Sequence, residues 1–331
     1  MMPMLHRIAL PLAALCLGSA VHAETPVVAA DIPPIQSIVS AVMDGVGTPA
    51  LLIGGGGSAH DAALRPSEAR ALQSADLVVW VGPALNPGLG RAIAALAPDA
   101  TVLTLTELPG TELLPTRLSP LFATAAAEHH HADDDDDEHH MGGEPASSDH
   151  AQVAGPHADA HSVDPHVWLD PDNAAVWVGA IASALAAADP EHADRYAANA
   201  EAFRVRLDSL DARVAAMVAP VRGRPFVVFH DAFQYFEHRF GLSATGAIAL
   251  SDASAPGPAR VAEIRAEVGR LNVVCAFSEP QFNPGLIRTV FEGVPVKTEE
   301  LDPEGLHLKP GPDQYPSLIL GIAQTVTACL S

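Results

Sequence analysis

Basic residues are scarce in this chain of 331 residues. Eighteen Lys and Arg stand against forty Asp and Glu, a formal net charge of −22 with sixteen histidines counted neutral. A chain this acidic offers no broad positive surface to nucleic acid or to anionic lipid. Between Arg117 and Arg195 there is no Lys or Arg at all. Cysteine is nearly absent, with Cys16, Cys275 and Cys329 the full set. Long apolar runs are missing too. Ile8 to Ala20 is thirteen residues and Ala174 to Ala188 fifteen, both short of the roughly twenty needed to span a bilayer as a helix. The motifs H-E-x-x-H, C-x-x-C and G-x-S-x-G do not occur, and Gly54-Gly55-Gly56-Gly57 lacks the Gly-Lys-Ser/Thr ending of a phosphate loop. That glycine run reads as a flexible turn beside His60.

Apolar residues make up 48% of the chain, enough to build real cores, and the length exceeds what one hydrophobic core usually fills. Residues 1–23 read as a secretory signal peptide. His6 and Arg7 supply a weakly basic start, Ile8 to Ala20 the apolar stretch, and Val21-His22-Ala23 the cleavage site, for a mature start near Glu24. A lipoprotein signal centred on Cys16 is disfavoured, because Leu15 stands where a small residue is needed. An exported chain meets oxidising conditions, and the two cysteines left after processing favour a Cys275–Cys329 disulfide over two buried thiols. In the chain-entropy view, closing so long a loop stabilises the fold by roughly 4 kcal/mol.

Short apolar runs alternate with helical stretches, which predicts parallel α/β sheets. In residues 24–189, an N-terminal lobe, strands are expected at Val27 to Ala30, Ala50 to Ile53, Leu77 to Val81 and Thr101 to Leu105. Helices are expected at Pro34 to Met43, Pro66 to Ser74 and Pro171 to Ala188. Residues 125–162 within it form an acidic, histidine-rich insertion without apolar periodicity, expected to be disordered. A linking helix is assigned to residues 190–219, with Tyr196, Ala200, Phe203, Leu207, Leu210 and Val214 at steps of three and four. Residues 220–331 form a second lobe. Its expected strands are Phe226 to Phe229, Thr245 to Leu250, Val273 to Phe277 and Val294 to Val296, and its helices Ala232 to Phe240, Pro258 to Arg270 and Asp313 to Ala328. His60-Asp61 is echoed by His230-Asp231, and Asn86-Pro87-Gly88-Leu89 by Asn283-Pro284-Gly285-Leu286. The fold expected is α/β, two similar lobes with a cleft between them, joined by one long helix.

Six histidines lie outside the signal and the insertion. His60, His166 and His230 each sit at a strand end or beside turn residues, where open α/β sheets bind ligands, and neutral imidazole is the commonest metal ligand. His192 and His238 fall in polar helical stretches and read as solvated; His307 is the weakest remaining candidate. Asp61 and Asp231 are candidate acceptors for the ligand imidazoles. The insertion carries ten acids and eight histidines between Glu128 and His161: His129, His130, His131, His139, His140, His150, His157 and His161. These form a candidate set of weak auxiliary metal ligands.

Taken together these segments resemble the ZnuA-type solute-binding proteins, the periplasmic zinc-binding components of bacterial ABC importers. The residues that carry the likeness are His60-Asp61 with Leu64-Arg65-Pro66-Ser67, Ser74 to Gly82, His166-Val167-Trp168-Leu169, and Phe229-His230-Asp231-Ala232-Phe233 with Tyr235-Phe236. Phe277 to Phe282 and Leu301-Asp302-Pro303 complete the set. The resemblance spans the mature chain. It implies zinc held between two lobes joined by a rigid helix, with His60, His166 and His230 as ligands, Asp302 at the position that completes the site in manganese-binding relatives, and a Cys275–Cys329 disulfide. Some zinc members carry a glutamate before the first ligand histidine; here that residue is Ala59, which leaves the fourth position to Asp302, a water or a histidine of the insertion, with Glu279 a weaker substitute. The resemblance further implies a monomer that performs no catalysis, binds no nucleic acid and delivers Zn²⁺ to a membrane permease with its cytoplasmic ATPase. Two alternatives stand beside it: a manganese-binding or adhesin-like relative, and a secreted zinc hydrolase using the same histidines, for which no glutamate stands in a hydrolase motif.

Overall fold

A computed structural model describes residues 25–54, 58–119, 162–249, 257–282 and 290–331. The signal peptide assigned to residues 1–23, the histidines of the insertion, Gly55 to Gly57 and Asn283 to Leu286 lie outside these residues. Two four-stranded sheets form, each with its strands in the order second, first, third, fourth. The first contains β1 (Val28–Ala30), β2 (Ala50–Leu51), β3 (Leu77–Trp80) and β4 (Thr101–Thr104). The second contains β5 (Phe226–His230), β6 (Gly246–Ala249), β7 (Cys275–Ser278) and β8 (Lys297–Glu300). Every pairing is parallel, with Val28 opposite Leu77 in one sheet and Phe226 opposite Cys275 in the other. Parallel strands need crossover helices, and those helices cover the sheet faces, so the central strands are apolar except for His230 and Ser278 at the ends of β5 and β7.

Helix starts follow the prolines. Pro33 and Pro34 open α1 (Pro33–Val42), Pro66 opens α2 (Pro66–Gln73), Pro87 opens α3 (Pro87–Leu96) and Pro171 opens α4 (Pro171–Ala188). Proline suits a first turn, where no intrahelical N–H bond is lost. Asn86 accepts from Leu89 N and Asp170 from Asp172 N, which caps α3 and α4. The stretch expected as one helix from Pro190 is divided. A 3₁₀ turn at Pro190–His192 precedes α5 (Ala193–Val218). Asp189 organises that junction, accepting from Tyr196 Oη at 2.8 Å and pairing with His192 Nδ1 at 2.7 Å, so His192 serves the junction.

The 26 residues of α5 reach about 39 Å at 1.5 Å per residue. Its buried face is Tyr196, Ala200, Phe203, Leu207, Leu210, Val214 and Val218, the stripe the spacing predicts. It packs along α4 of the first lobe and along α8 (Gln314–Leu330) after the second sheet, while α1 also meets α8. Helices α6 (Gln234–Phe240) and α7 (Pro258–Arg270) complete the second lobe. Gly241 ends α6 in the left-handed region at φ 67°, a conformation that favours glycine. A Cys275–Cys329 disulfide ties β7 to α8, with Cα atoms 6.0 Å apart. The largest departure from the sequence reading is β8. Val294 to Val296 is not a strand, and the edge strand is Lys297–Glu300, exposed along its length. Among the described residues no helix is long and apolar enough to cross a membrane.

Candidate metal centre

Three imidazoles meet between the lobes. His230 is the last residue of β5. His166 immediately precedes a 3₁₀ turn, Val167–Leu169, that leads into α4. His60 lies in the segment after β2, pinned by Asn86, whose side-chain N–H donates to the carbonyls of Ala59 at 2.8 Å and Ala62 at 3.1 Å. The Nε2 atoms of His60 and His166 are 3.2 Å apart, and those of His166 and His230 are 3.1 Å apart. Two nitrogens each about 2.0–2.1 Å from a tetrahedral ion stand about 3.3 Å apart, so the spacing is that of ligands around one cation. Among the described residues these three form the group able to hold a metal.

Both buried imidazoles are oriented by an acid. His166 Nδ1 meets Asp164 Oδ1 at 2.7 Å, and the same oxygen accepts the His166 backbone N–H at 3.0 Å. His230 Nδ1 meets Glu279 at 2.9 and 2.8 Å, and Glu279 Oε1 also accepts the His230 backbone N–H at 3.1 Å. A carboxylate at Nδ1 selects the tautomer that carries its proton there and leaves the Nε2 lone pair for a metal. Burial holds the His166 pKa well below the usual imidazole range, aided by the charges of His230 and Arg117. His166 is therefore neutral, the form that binds metal. His166 and His230 are each 5% exposed; His60 is half-buried and borders a groove of about 640 Å³ that also touches Asp61, Asn86 and Arg91.

The three histidines surround a cavity of about 10 Å³, whose other walls include Ala59, Gln281, Phe282 and Glu304. That is room for about one water-sized group. Burial pushes the Glu304 carboxyl up to about 8, opposed by the Gln281 hydrogen bond and reinforced by Asp302 and Glu279.

Asp302 does not join the cluster. Its Oδ1 accepts the backbone N–H groups of Glu304 at 2.9 Å and Gly305 at 2.8 Å, and its Oδ2 that of Leu306 at 2.6 Å. It faces a separate cavity of about 180 Å³, shared with His307. Asp231, a candidate acceptor for His230, is turned to Arg117 instead, whose Nε meets its oxygens at 3.0 and 2.9 Å. Asp61 is exposed. His238 lies 3.4 Å from Glu112 at the surface. The acids that do orient the imidazoles, Asp164 and Glu279, carry faint sequence signals: Asp164 stands two residues before His166, the spacing of a side-chain-to-backbone turn, and Glu279 follows a strand neighbouring β5.

Fold and donor set together define a two-lobed α/β binding protein with a nitrogen-rich cation site at the lobe interface. The chain belongs to the ZnuA family, zinc-uptake complex component A, periplasmic, whose family model matches residues 28–329. A high-affinity zinc uptake system protein ZnuA of Brucella suis is 44% identical over 321 residues, covering 97% of this chain and 96% of the relative. The protein of the same name from Paracoccus denitrificans is 41% identical, covering 96% of each chain. The solved periplasmic zinc-binding protein TroA of Treponema pallidum shares the fold with a TM-score of 0.71 at 21% identity, over 93% of this chain and 99% of that one.

Proposed function

We propose that this protein captures Zn²⁺ between its lobes in the periplasm and hands it to the permease of an ABC importer with its ATPase, as a monomer, with no covalent chemistry of its own. The convergence of three Nε2 atoms at ligand spacing carries this reading. Three neutral imidazoles favour Zn²⁺, whereas Mn²⁺ sits low in the Irving–Williams order and prefers oxygen donors. Export rests on residues 1–23 as a signal peptide. For the segment between Glu128 and His161 the proposal is weak auxiliary zinc binding, supported by its eight histidines and ten acids.

Isothermal titration of the mature chain tests both parts. One tight zinc site is expected, with affinity lost at least about 100-fold in His60→Ala, His166→Ala and His230→Ala. Deletion of 128–161 is expected to remove weak sites and spare the tight one. Unchanged affinity in all three histidine variants overturns the zinc assignment.

A further inference from the structure

His166 and His230 come from different lobes, yet their Nε2 atoms stand 3.1 Å apart. A binding site works only when its side chains are held to within about 0.5 Å of the productive geometry. The acids at Nδ1 do not set the distance between the two rings. Asp164 stands two residues from His166, and Glu279 belongs to the same lobe as His230. Each acid turns its own ring and travels with it.

Other bonds join the segment before His166 to the segment after His230. Residues 114–116 pair with 162–164 as a short antiparallel ribbon: Pro115 bridges Val163, Asp164 N donates to Leu114 O, and Thr116 N to Ser162 O. His166 lies two residues beyond this ribbon. Tyr235, on α6, is buried. Its hydroxyl accepts from Leu114 N at 2.8 Å and donates to Asp164 O at 3.0 Å, so one side chain spans both strands of the ribbon. Arg117 stands at the ribbon's end. Its Nε lies 3.0 and 2.9 Å from the oxygens of Asp231, the residue after His230, and its Nη atoms reach Glu237 on α6 at 2.9 and 3.1 Å. Gln234 Nε2 adds a bond to Pro115 O at 3.2 Å. Beyond His166, Trp168 donates to Pro303 O and its own carbonyl accepts from Tyr315, partners remote in the chain from His230. From this arrangement we propose that Tyr235 and Arg117 are positioning residues of the zinc site. They dock the ribbon on α6 and so fix the separation of the His166 and His230 ligand atoms across the lobe interface. The inference rests on the zinc reading above.

The test compares Tyr235→Phe, Arg117→Lys and Ser37→Ala with wild type in the full mature chain, by zinc titration against a competing chelator and by the visible spectrum of the Co²⁺-loaded proteins. Tyr235→Phe keeps the ring and removes the hydroxyl that spans the ribbon. Arg117→Lys keeps the charge and loses the planar fork that holds two carboxylates. Each is expected to weaken zinc binding about 10-fold and to shift the Co²⁺ bands. Ser37→Ala also removes an interlobe contact, since Ser37 Oγ bonds Gly311 O and Tyr315 N, but it touches neither histidine's segment. It is expected to lower the midpoint of a thermal melt while zinc affinity and Co²⁺ bands stay as in wild type. Melts of the metal-free proteins establish that each variant folds, and either Tyr235→Phe or Arg117→Lys carries the test if the other does not. Wild-type affinity and bands in a folded Tyr235→Phe or Arg117→Lys overturn the proposal, as does Ser37→Ala weakening zinc binding as much as they do. A wild-type chain with no tight zinc site overturns the zinc reading instead, so the two failures are distinguishable.

Discussion

His166 and His230 each keep an acid on Nδ1, the ring nitrogen other than the converging Nε2. The acid fixes ring orientation and tautomer, so it acts on the metal through the imidazole. Replacing Glu279 with Gln is expected to weaken zinc binding about 10- to 100-fold while leaving all three imidazoles in place; chelator competition measures it. The three histidines were legible in the sequence because each stands at a strand end or beside a turn. Their acids were not, since the choice of partner is tertiary. Successive residues leaving a strand point to opposite faces, which is why Asp231, the neighbour of His230, meets Arg117, and a glutamate 49 residues further on meets the ring.

At the scale of elements, the ends of β1 and β3 are joined by one buried acid. Asp31 follows β1, and its oxygens accept the N–H groups of Val81 at 2.7 Å and Ile32 at 2.9 Å. Burial pushes its pKa from 3.8 up to about 7, against those two bonds. Between these values the folded chain holds a proton that the unfolded chain releases, so this group's contribution to stability is full below pH 3.8 and is lost as pH rises through about 7. Urea melts of the metal-free protein across that window are expected to show stability falling with pH from this group, and Asp31→Asn to flatten that slope. Element types were largely readable from period and punctuation. The stripe of α5 and the bounds of α4 and α7 emerged as the spacing predicts. The exception, β8, is an exposed edge strand of Lys, Thr and Glu. Charged residues guard edges against pairing with other chains, and the same charge removes the apolar pattern by which strands are read. The break at Pro190–His192 escaped because side-chain bonds to Asp189, not local propensity, set it.

Across the whole molecule, the lobes are held by buried polar contacts as well as by α5. Ser37 Oγ donates to Gly311 O at 2.7 Å and accepts from Tyr315 N at 2.8 Å, and Tyr315 Oη donates to Trp168 O at 2.8 Å. On the far side Arg117, from the first lobe, grips Asp231 and reaches both oxygens of Glu237, at 2.9 and 3.1 Å. Removing the cation leaves two buried acids facing each other. Arg117→Ala is expected to cost about 3–5 kcal/mol in chemical denaturation of the metal-free protein. The doubled α/β pattern foretold two lobes, but no local signal foretold this seam, because each of its bonds joins residues more than a hundred positions apart.

The seam has a neighbour with a different meaning. Just before Arg117, Pro115 forms a bridge with Val163, Thr116 N donates to Ser162 O, and Asp164 N to Leu114 O, both at 2.9 Å. The bridge thus fixes Pro115 and Val163 one strand spacing apart, at the two ends of the stretch of sequence that holds the acidic, histidine-rich insertion. For a flexible connection between two such fixed points, doubling the length adds only about 0.6 kcal/mol of closure entropy. The sequence joining them can therefore change in size and composition while His166, three residues beyond Val163, keeps its place.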